Sequence, residues 1–164
     1  MTILVKNKHT LKVDDFEFKC CIGKNGSTIN KKEGDKKTPK GIFEIENLYF
    51  RKDRIKKPVT SLKSIEIRKN IGWCNDINFP KNYNKLIKVN NKLRHEKLTR
   101  KDHKYDLLIP IKYNFKKPKT GLGSCIFIHL TKNYKPTAGC IALKEKDFLI
   151  MLRLINKNTK IKIF

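Results

Sequence analysis

Two reactive side chains lie close together near the end of the chain. His129 closes a short apolar run, and Cys140 follows it after a polar loop that contains Pro136. A thiol is only partly ionised at neutral pH, and its thiolate is the attacking species, so a neighbouring imidazole that takes the proton is the usual means of activation. This pattern predicts a cysteine nucleophile, Cys140, with His129 as its base.

The segment before the loop is typical of a β-strand whose two faces differ. Because side chains alternate along a strand, one face carries His129 together with Cys125 and Phe127. We expect the other face to belong to the core, and it carries Ile126, Ile128 and Leu130. His129 would therefore project from a firm strand toward the loop that returns with Cys140.

Gly139 stands directly before the candidate nucleophile. Without a β-carbon the backbone can bend tightly there, and the amides of Gly139 and Cys140 can face an incoming carbonyl as an oxyanion hole. Taken alone, the same residues also fit a small buried cysteine and a hydrogen-bonded strand histidine.

Further motifs occur in a fixed order along the chain. Residues 33–43 read EGDKKTPKGIF, residues 72–76 read GWCND, residues 95–106 read HEKLTRKDHKYD, and His129 precedes Thr137-Ala138-Gly139-Cys140. The first motif resembles the GD-x-x-TP-x-G-x-F segment of the L,D-transpeptidase catalytic domain family (YkuD-like). The last motif resembles the active-site signature of that family, in which a His precedes Ser/Thr-x-Gly-Cys. The middle two resemble a short bacterial subgroup of that family, so the resemblance covers most of the chain.

The resemblance implies a two-step acyl transfer on peptidoglycan stem peptides. Cys140 would attack the L-centre carbonyl of the third residue, a diamino acid, and release the terminal D-alanine, leaving a thioester. The amine of a neighbouring stem would resolve the thioester, while His129 acts first as base and then as acid. The resemblance implies neither a metal nor another cofactor.

Other residues are expected to support this site or to shape its cleft. The candidates for lining or supporting the substrate cleft are Thr137, Tyr105, Asp106 and His103. In the upstream motif, Asp35 suits an Asx turn and Gly41 a release into a strand, so that motif would form the cleft floor. Two positions depart from the wider family, because Ala138 stands where many members carry a second His and Ile141 where many carry a polar residue.

The net charge of +24 and the chemistry of the site leave other functions open. If water replaces the acceptor amine, the same residues would act as an L,D-carboxypeptidase. The basic surface could also hold anionic wall polymers, and a wall-binding module without catalysis would keep the same fold and charge. A nucleic-acid-binding domain is disfavoured, because the aromatic residues form no interleaved stacking platform and no recognition-helix or zinc-finger pattern is visible.

The cysteine content and the apolar runs bear on redox state and location. The five cysteines form an odd set without a CxxC pair, so neither a complete disulfide framework nor a zinc site is predicted. No apolar run approaches the roughly 20 residues that span a bilayer, and the first residues do not read as a secretion signal. The resemblance implies the periplasm or cell envelope, whereas a chain without an export signal would be expected in the cytoplasm.

The elements that must position these residues are mostly strands. Alternating or apolar runs predict strands at 2–5, 16–22, 41–48, 64–67, 105–111, 125–130 and 160–164. Helical spacing predicts a helix at 144–156 and a shorter helical turn at 94–103, with His95, Asp102 and His103 on its solvated surface. Turn-rich segments at 23–39 and 70–84 are expected to be loops, with Trp73 in the core. We therefore expect one mainly β (α+β) domain over residues 1–164, a β-sandwich or mixed sheet with one or two short helices, of the kind the resemblance implies.

Overall fold

The structure is a computed structural model that describes residues 1–89 and 91–164. It contains short strands and one α-helix within those residues. The strands are β1 (Thr2–Val5), β2 (Thr10–Val13), β3 (Phe16–Cys21), β4 (Ser27–Thr28), β5 (Thr38–Pro39), β6 (Gly41–Glu44), β7 (Leu48–Phe50), β8 (Ser64–Glu66), β9 (Ile71–Cys74), β10 (Leu86–Lys88), β11 (His95–Lys97), β12 (Leu107–Pro110), β13 (Phe127–Leu130), β14 (Ile141–Leu143) and β15 (Lys160–Ile163). The helix is α1 (Glu145–Leu154).

A ten-stranded mixed sheet forms the body of the described chain. Its strand order is β6-β15-β1-β2-β3-β14-β13-β12-β7-β8, and the pairs β1–β15, β13–β14 and β7–β8 are parallel. A three-stranded sheet, β10-β9-β11, and a two-stranded ribbon, β4-β5, lie outside it. This confirms the prediction of a mainly β fold with a mixed sheet.

Two apolar cores lie on opposite faces of β12 and β13. On one face Ile128 packs with Phe148 and Leu152 of α1 in the larger core. On the other face Phe127 packs with Trp73 of β9 in the smaller core. Because successive side chains alternate, a strand that is covered on both sides buries every residue, and β13 does so from Phe127 to Leu130. This confirms the expected core positions at Ile126, Ile128, Leu130 and Trp73.

Helix α1 confirms the helix expected at 144–156, although it ends at Leu154. Its buried residues Phe148, Met151 and Leu152 recur at helical spacing and cover the sheet. Glu145 and Asp147 in its first turn and Arg153 in its last turn oppose the partial charges at the helix ends.

The helical turn expected at 94–103 is wrong. His95–Lys97 forms strand β11, which pairs with β9 so that His95 lies opposite Cys74 and Glu96 opposite Trp73. Backbone pairing to a buried neighbour outweighs the weak local helical pattern, which offered a single apolar residue, Leu98. His95 and Asp102 therefore do not lie on a helix surface.

Several other strands were not predicted because they are only two to four residues long, too short for a pattern to stand out. The strands that the sequence patterns missed are β2, β4, β5, β9, β10 and β14, and the run expected at 41–48 contains β6 and only the first residue of β7. The structure therefore places the pair β4–β5 inside the segment 23–39 and strand β9 inside the segment 70–84, although both segments were expected to be loops. Within the described residues no helix has the length and apolar character needed to cross a bilayer.

Candidate active site

Cys140 and His129 are carried by neighbouring parallel strands. His129 lies on β13 opposite Ala142 of β14, and Cys140 directly precedes β14. Both side chains line the same cavity, which has a volume of about 210 Å³. The structure therefore brings together the two residues that the sequence singled out.

The thiol of Cys140 is held by backbone groups on both sides. The side chain is 8% exposed, its Sγ accepts a hydrogen bond from the Phe127 amide at 3.4 Å, and it donates to the Cys125 carbonyl at 3.2 Å. Burial raises the pKa of Cys140 to about 12. The resting residue is therefore a neutral thiol whose proton points at a backbone oxygen.

The imidazole of His129 is fixed in one tautomer. Its Nδ1 lies 2.8 Å from the Leu130 carbonyl oxygen, which can only accept, so Nδ1 carries the proton and Nε2 keeps its lone pair. The ring packs edge-on against Tyr105, with ring centroids 5.2 Å apart. Burial lowers the pKa of His129 to about 4, so the ring is neutral at pH 7 and can accept a proton.

The turn before Cys140 depends on Gly139 and Thr137. Gly139 has a φ of 143°, and a β-carbon there would lie 2.9 Å from the Lys37 carbonyl oxygen. The Thr137 hydroxyl donates to the Cys140 carbonyl at 2.6 Å and accepts from the Gly139 amide at 3.1 Å. Because the Gly139 amide already has a partner, the Cys140 amide is the better candidate for an oxyanion donor.

The upstream motif forms the wall behind this turn. The Asp35 carboxylate accepts hydrogen bonds from the amides of Lys32 and Lys37, each at 2.8 Å, which confirms the expected Asx turn. The carbonyl of Lys37 is the atom that packs against Gly139. Asp35 therefore shapes the loop that leaves room only for a glycine before Cys140.

A second cavity of about 260 Å³ lies beside the first. Four residues line both cavities: Glu96, Tyr105, Ala138 and Cys140. Cys140 therefore lies where the two cavities meet.

The family model described as the L,D-transpeptidase catalytic domain matches residues 1–163. The chain belongs to this family. No curated protein and no solved structure matches it. The match confirms the resemblance that the motifs indicated, and it makes the chain a member of a family of peptidoglycan-modifying enzymes.

The L,D-transpeptidase domain has a polar wall beside Cys140, of which the sequence analysis assigned Tyr105 to the site but not Glu96 or Arg100. Arg100 forms a two-point ion pair with Asp102, at 2.9 and 2.8 Å, and its guanidinium lies 5.0 Å from the Tyr105 ring centroid. The Tyr105 hydroxyl donates to Glu96 at 2.9 Å, and burial raises the Tyr105 pKa well above its usual value. Glu96, Arg100 and Tyr105 all line the first cavity. The resemblance of residues 95–106 to the subgroup was the one signal that pointed to this wall.

The other predicted support residues take different places in the L,D-transpeptidase domain. Thr137 and Tyr105 line the first cavity. The Nε2 of His103 lies 2.9 Å from the carbonyl oxygen of Thr131. Thr131 lines the first cavity but His103 does not, so His103 supports the cavity through Thr131. Asp106 is paired with Arg54 at 3.0 Å, and neither residue is among those that line the two cavities.

The remaining cysteines of the domain are all free thiols. Cys20, Cys21 and Cys74 are buried, and Cys125 is partly buried. Burial raises the pKa of Cys20 to about 12 and also raises those of Cys21 and Cys125. Across residues 1–89 and 91–164, no three His, Cys, Asp or Glu side chains are grouped so that they could hold a metal ion.

Proposed function

We propose that the chain is a cysteine-dependent L,D-transpeptidase that acts on peptidoglycan stem peptides. The observation that carries the proposal is that Cys140 and His129 line one cavity, with the imidazole locked in the tautomer that can take a proton. Family membership supports the choice of substrate.

In the first step the Cys140 sulfur attacks the carbonyl carbon of the L-centre of the diamino acid in a stem tetrapeptide. The thiol proton passes to Nε2 of His129, and the carbonyl oxygen becomes an oxyanion that the Cys140 amide can bind. His129 then returns the proton to the nitrogen of D-alanine as the C–N bond breaks. The products are free D-alanine and a thioester on Cys140.

In the second step the amine of a neighbouring stem attacks the thioester carbon. His129 accepts a proton from that amine and delivers it to the departing sulfur, so that a new amide forms and the thiol is restored. For this reaction we propose a location in the periplasm or cell envelope, where its substrate lies.

The ionisation of the pair bears on the order of proton transfer. With the pKa of Cys140 raised to about 12 and that of His129 lowered to about 4, the resting pair is neutral. Proton transfer then accompanies sulfur attack, because the charge that develops on the substrate oxygen is stabilised at the same moment.

A carbapenem tests the proposal directly, because its strained amide should acylate an activated cysteine. Intact-protein mass spectrometry of the wild type should show one adduct, and Cys140→Ala should show none. Absence of an adduct on folded wild-type protein, or equal labelling of both proteins, would instead favour a basic module without catalysis.

An L,D-carboxypeptidase is the second candidate, and the enclosure of the nucleophile favours it. Cys140 is only 8% exposed, and a water molecule reaches such a thioester more readily than a bulky stem peptide does. Incubation with a stem tetrapeptide separates the two reactions: a cross-linked dimer is the product of the transpeptidase, and a trimmed tripeptide that of the carboxypeptidase.

A further inference from the structure

The second cavity carries carboxylates next to Cys140 that the proposed acyl transfer does not use. Glu33 and Glu96 line it together with Asn75 and Ser124. We propose that Glu33 binds the side-chain ammonium of the stem peptide's diamino acid in this cavity, an inference that rests on the proposed function.

Glu33 is held in place from three directions. The hydroxyl groups of Tyr83 and Ser124 both donate to its Oε2, the latter at 2.7 Å. Its backbone amide donates to the Gly121 carbonyl at 2.8 Å. A carboxylate has about four acceptor positions, so the two hydroxyls orient the group and leave acceptor capacity on Oε1. Such a fixed carboxylate binds a cation without first losing side-chain freedom.

A second acceptor in the same cavity lacks a partner. The Oδ1 of Asn75 is buried and makes no hydrogen bond in the described structure. A buried acceptor without a donor costs free energy, and a ligand that supplies an N–H removes that cost. An ammonium group has three donors and no acceptor, so it suits a cavity lined by Glu33, Glu96 and Asn75.

The nearby cations do not occupy this place. Lys31 is buried and already bonded to Asp35 at 2.6 Å and to the Lys32 carbonyl at 2.7 Å. Lys36 and Arg94 line the cavity as exposed residues, which suits its rim. Within a stem peptide the side-chain amine is the group that would supply a positive charge to Glu33.

The first cavity has fewer carboxylates than the second, in which Glu33 and Glu96 lie beside the cations Lys31, Lys36 and Arg94. Its charged lining is mainly basic and consists of Arg100, Lys104, Lys132 and Lys135, with Glu96 shared between the two cavities. A carboxylate of the stem peptide is therefore better accommodated there, while the acceptors beside Glu33 accommodate the amine. The two cavities that meet at Cys140 thus differ in their acceptors, because only the second contains Glu33 and the unpartnered Oδ1 of Asn75.

Binding measurements test Glu33 without relying on turnover. In a Cys140→Ala background, calorimetry compares a tetrapeptide containing diaminopimelic acid with the same peptide acetylated on its side-chain amine. Glu33→Gln keeps an acceptor for Tyr83 and Ser124 but removes the charge, and it should weaken binding of the free-amine peptide about tenfold or more. Binding of the acetylated peptide should not change. Glu17→Gln, an exposed site with the same loss of charge, is the matched control.

Turnover then shows which stem supplies the ammonium. If it belongs to the acyl donor, Glu33→Gln raises the KM for D-alanine release about tenfold with the free-amine peptide and not with the acetylated one. If the ammonium belongs to the acceptor stem, Glu33→Gln leaves the rate of D-alanine release unchanged and lowers the yield of cross-linked dimer about tenfold.

Two results would overturn the inference. Either Glu33→Gln binds the free-amine peptide as tightly as the protein with Glu33 does, or it loses the same affinity for both peptides, which would show that Glu33 has a structural role. Failure of the proposed function looks different, because wild-type protein would then release no D-alanine whatever residue stands at position 33.

Discussion

At the scale of single residues, the site consists of a neutral thiol and a neutral imidazole rather than a thiolate and an imidazolium ion. Burial raises the pKa of Cys140 to about 12 and lowers that of His129 to about 4. The Cys140 thiol donates to the Cys125 carbonyl at rest, so it must turn toward the imidazole when substrate arrives. We therefore expect Cys140 to become reactive only when an acylating substrate is bound.

Alkylation of Cys140 by iodoacetamide at pH 7.5 should be at least about 100-fold slower than that of a cysteine in an unstructured peptide, because so little thiolate is present. Mass spectrometry over time measures the rate, and Cys140→Ala assigns the adduct. Rapid alkylation would show that the thiolate already exists at rest.

Gly139→Ala should abolish carbapenem labelling and destabilise the protein by about 2 kcal/mol more than Gly121→Ala does. Both glycines have positive φ, 143° and 82°, but a β-carbon at 139 meets the Lys37 carbonyl, whereas one at 121 meets nothing within 4 Å. Urea unfolding of the two variants separates the clash from the backbone strain. Equal costs would rule out the clash.

At the scale of elements, Asn84 ties the small sheet to the strand that carries His129. Its Oδ1 accepts from the Trp73 indole at 2.9 Å and from the Cys125 amide at 3.1 Å. Its Nδ2 donates to the carbonyls of Tyr113 and Asn114 at 3.1 and 2.7 Å. Since the Cys125 carbonyl receives the Cys140 thiol, this buried side chain links β9 to the active site.

Asn84→Ala should lower the free energy of unfolding by about 3 kcal/mol, because it leaves buried donors and acceptors without partners. Asn82→Ala, in the same turn but outside this network, should cost less than about 1 kcal/mol. Chemical denaturation measures both values. Similar losses at the two positions would contradict the role given to Asn84.

Strand pairing also explains why the helical turn predicted at 94–103 is wrong. The segment contributes β11 and the ion pair between Arg100 and Asp102, and its residues Glu96 and Arg100 line the first cavity. Pairing with β9 places Glu96 beside Tyr105, and that placement cannot be inferred from local helical spacing.

At the scale of the whole molecule, the net charge of +24 predicts salt-sensitive attraction to polyanions, whereas the pH dependence of stability should reflect His129. The unfolded chain binds a proton at this histidine near pH 6.5, but the folded protein does so only near pH 4. The unfolded state therefore holds more protons in that window, and stability falls as the pH decreases through it.

The free energy of unfolding should fall by about 2 kcal/mol between pH 7.5 and pH 5 on account of His129. Carboxylates with lowered pKa values, such as Asp76 with its bonds from the Arg94 and Asn78 amides, titrate below this window. Urea titrations at both pH values should show a smaller difference for His129→Gln, while His9→Gln at an exposed site should match the wild type. An unchanged difference in His129→Gln would contradict the assignment.

The sequence by itself determined the features that depend on neighbouring residues. Alternation located β13 and its core face, helical spacing located α1, and the motif ending in Gly139 and Cys140 indicated the family. These signals are local, because side-chain periodicity and the conformational freedom of glycine act within a few residues.

Only the tertiary structure decided the features that join distant parts of the chain. The pairing of β11 with β9, the packing of Gly139 against the Lys37 carbonyl, and the two cavities that meet at Cys140 bring together segments that are far apart in sequence. Glu33 receives hydroxyl groups from Tyr83 and Ser124 for the same reason. Such contacts arise from packing and from the need to satisfy buried polar groups, which the order of residues along the chain does not display.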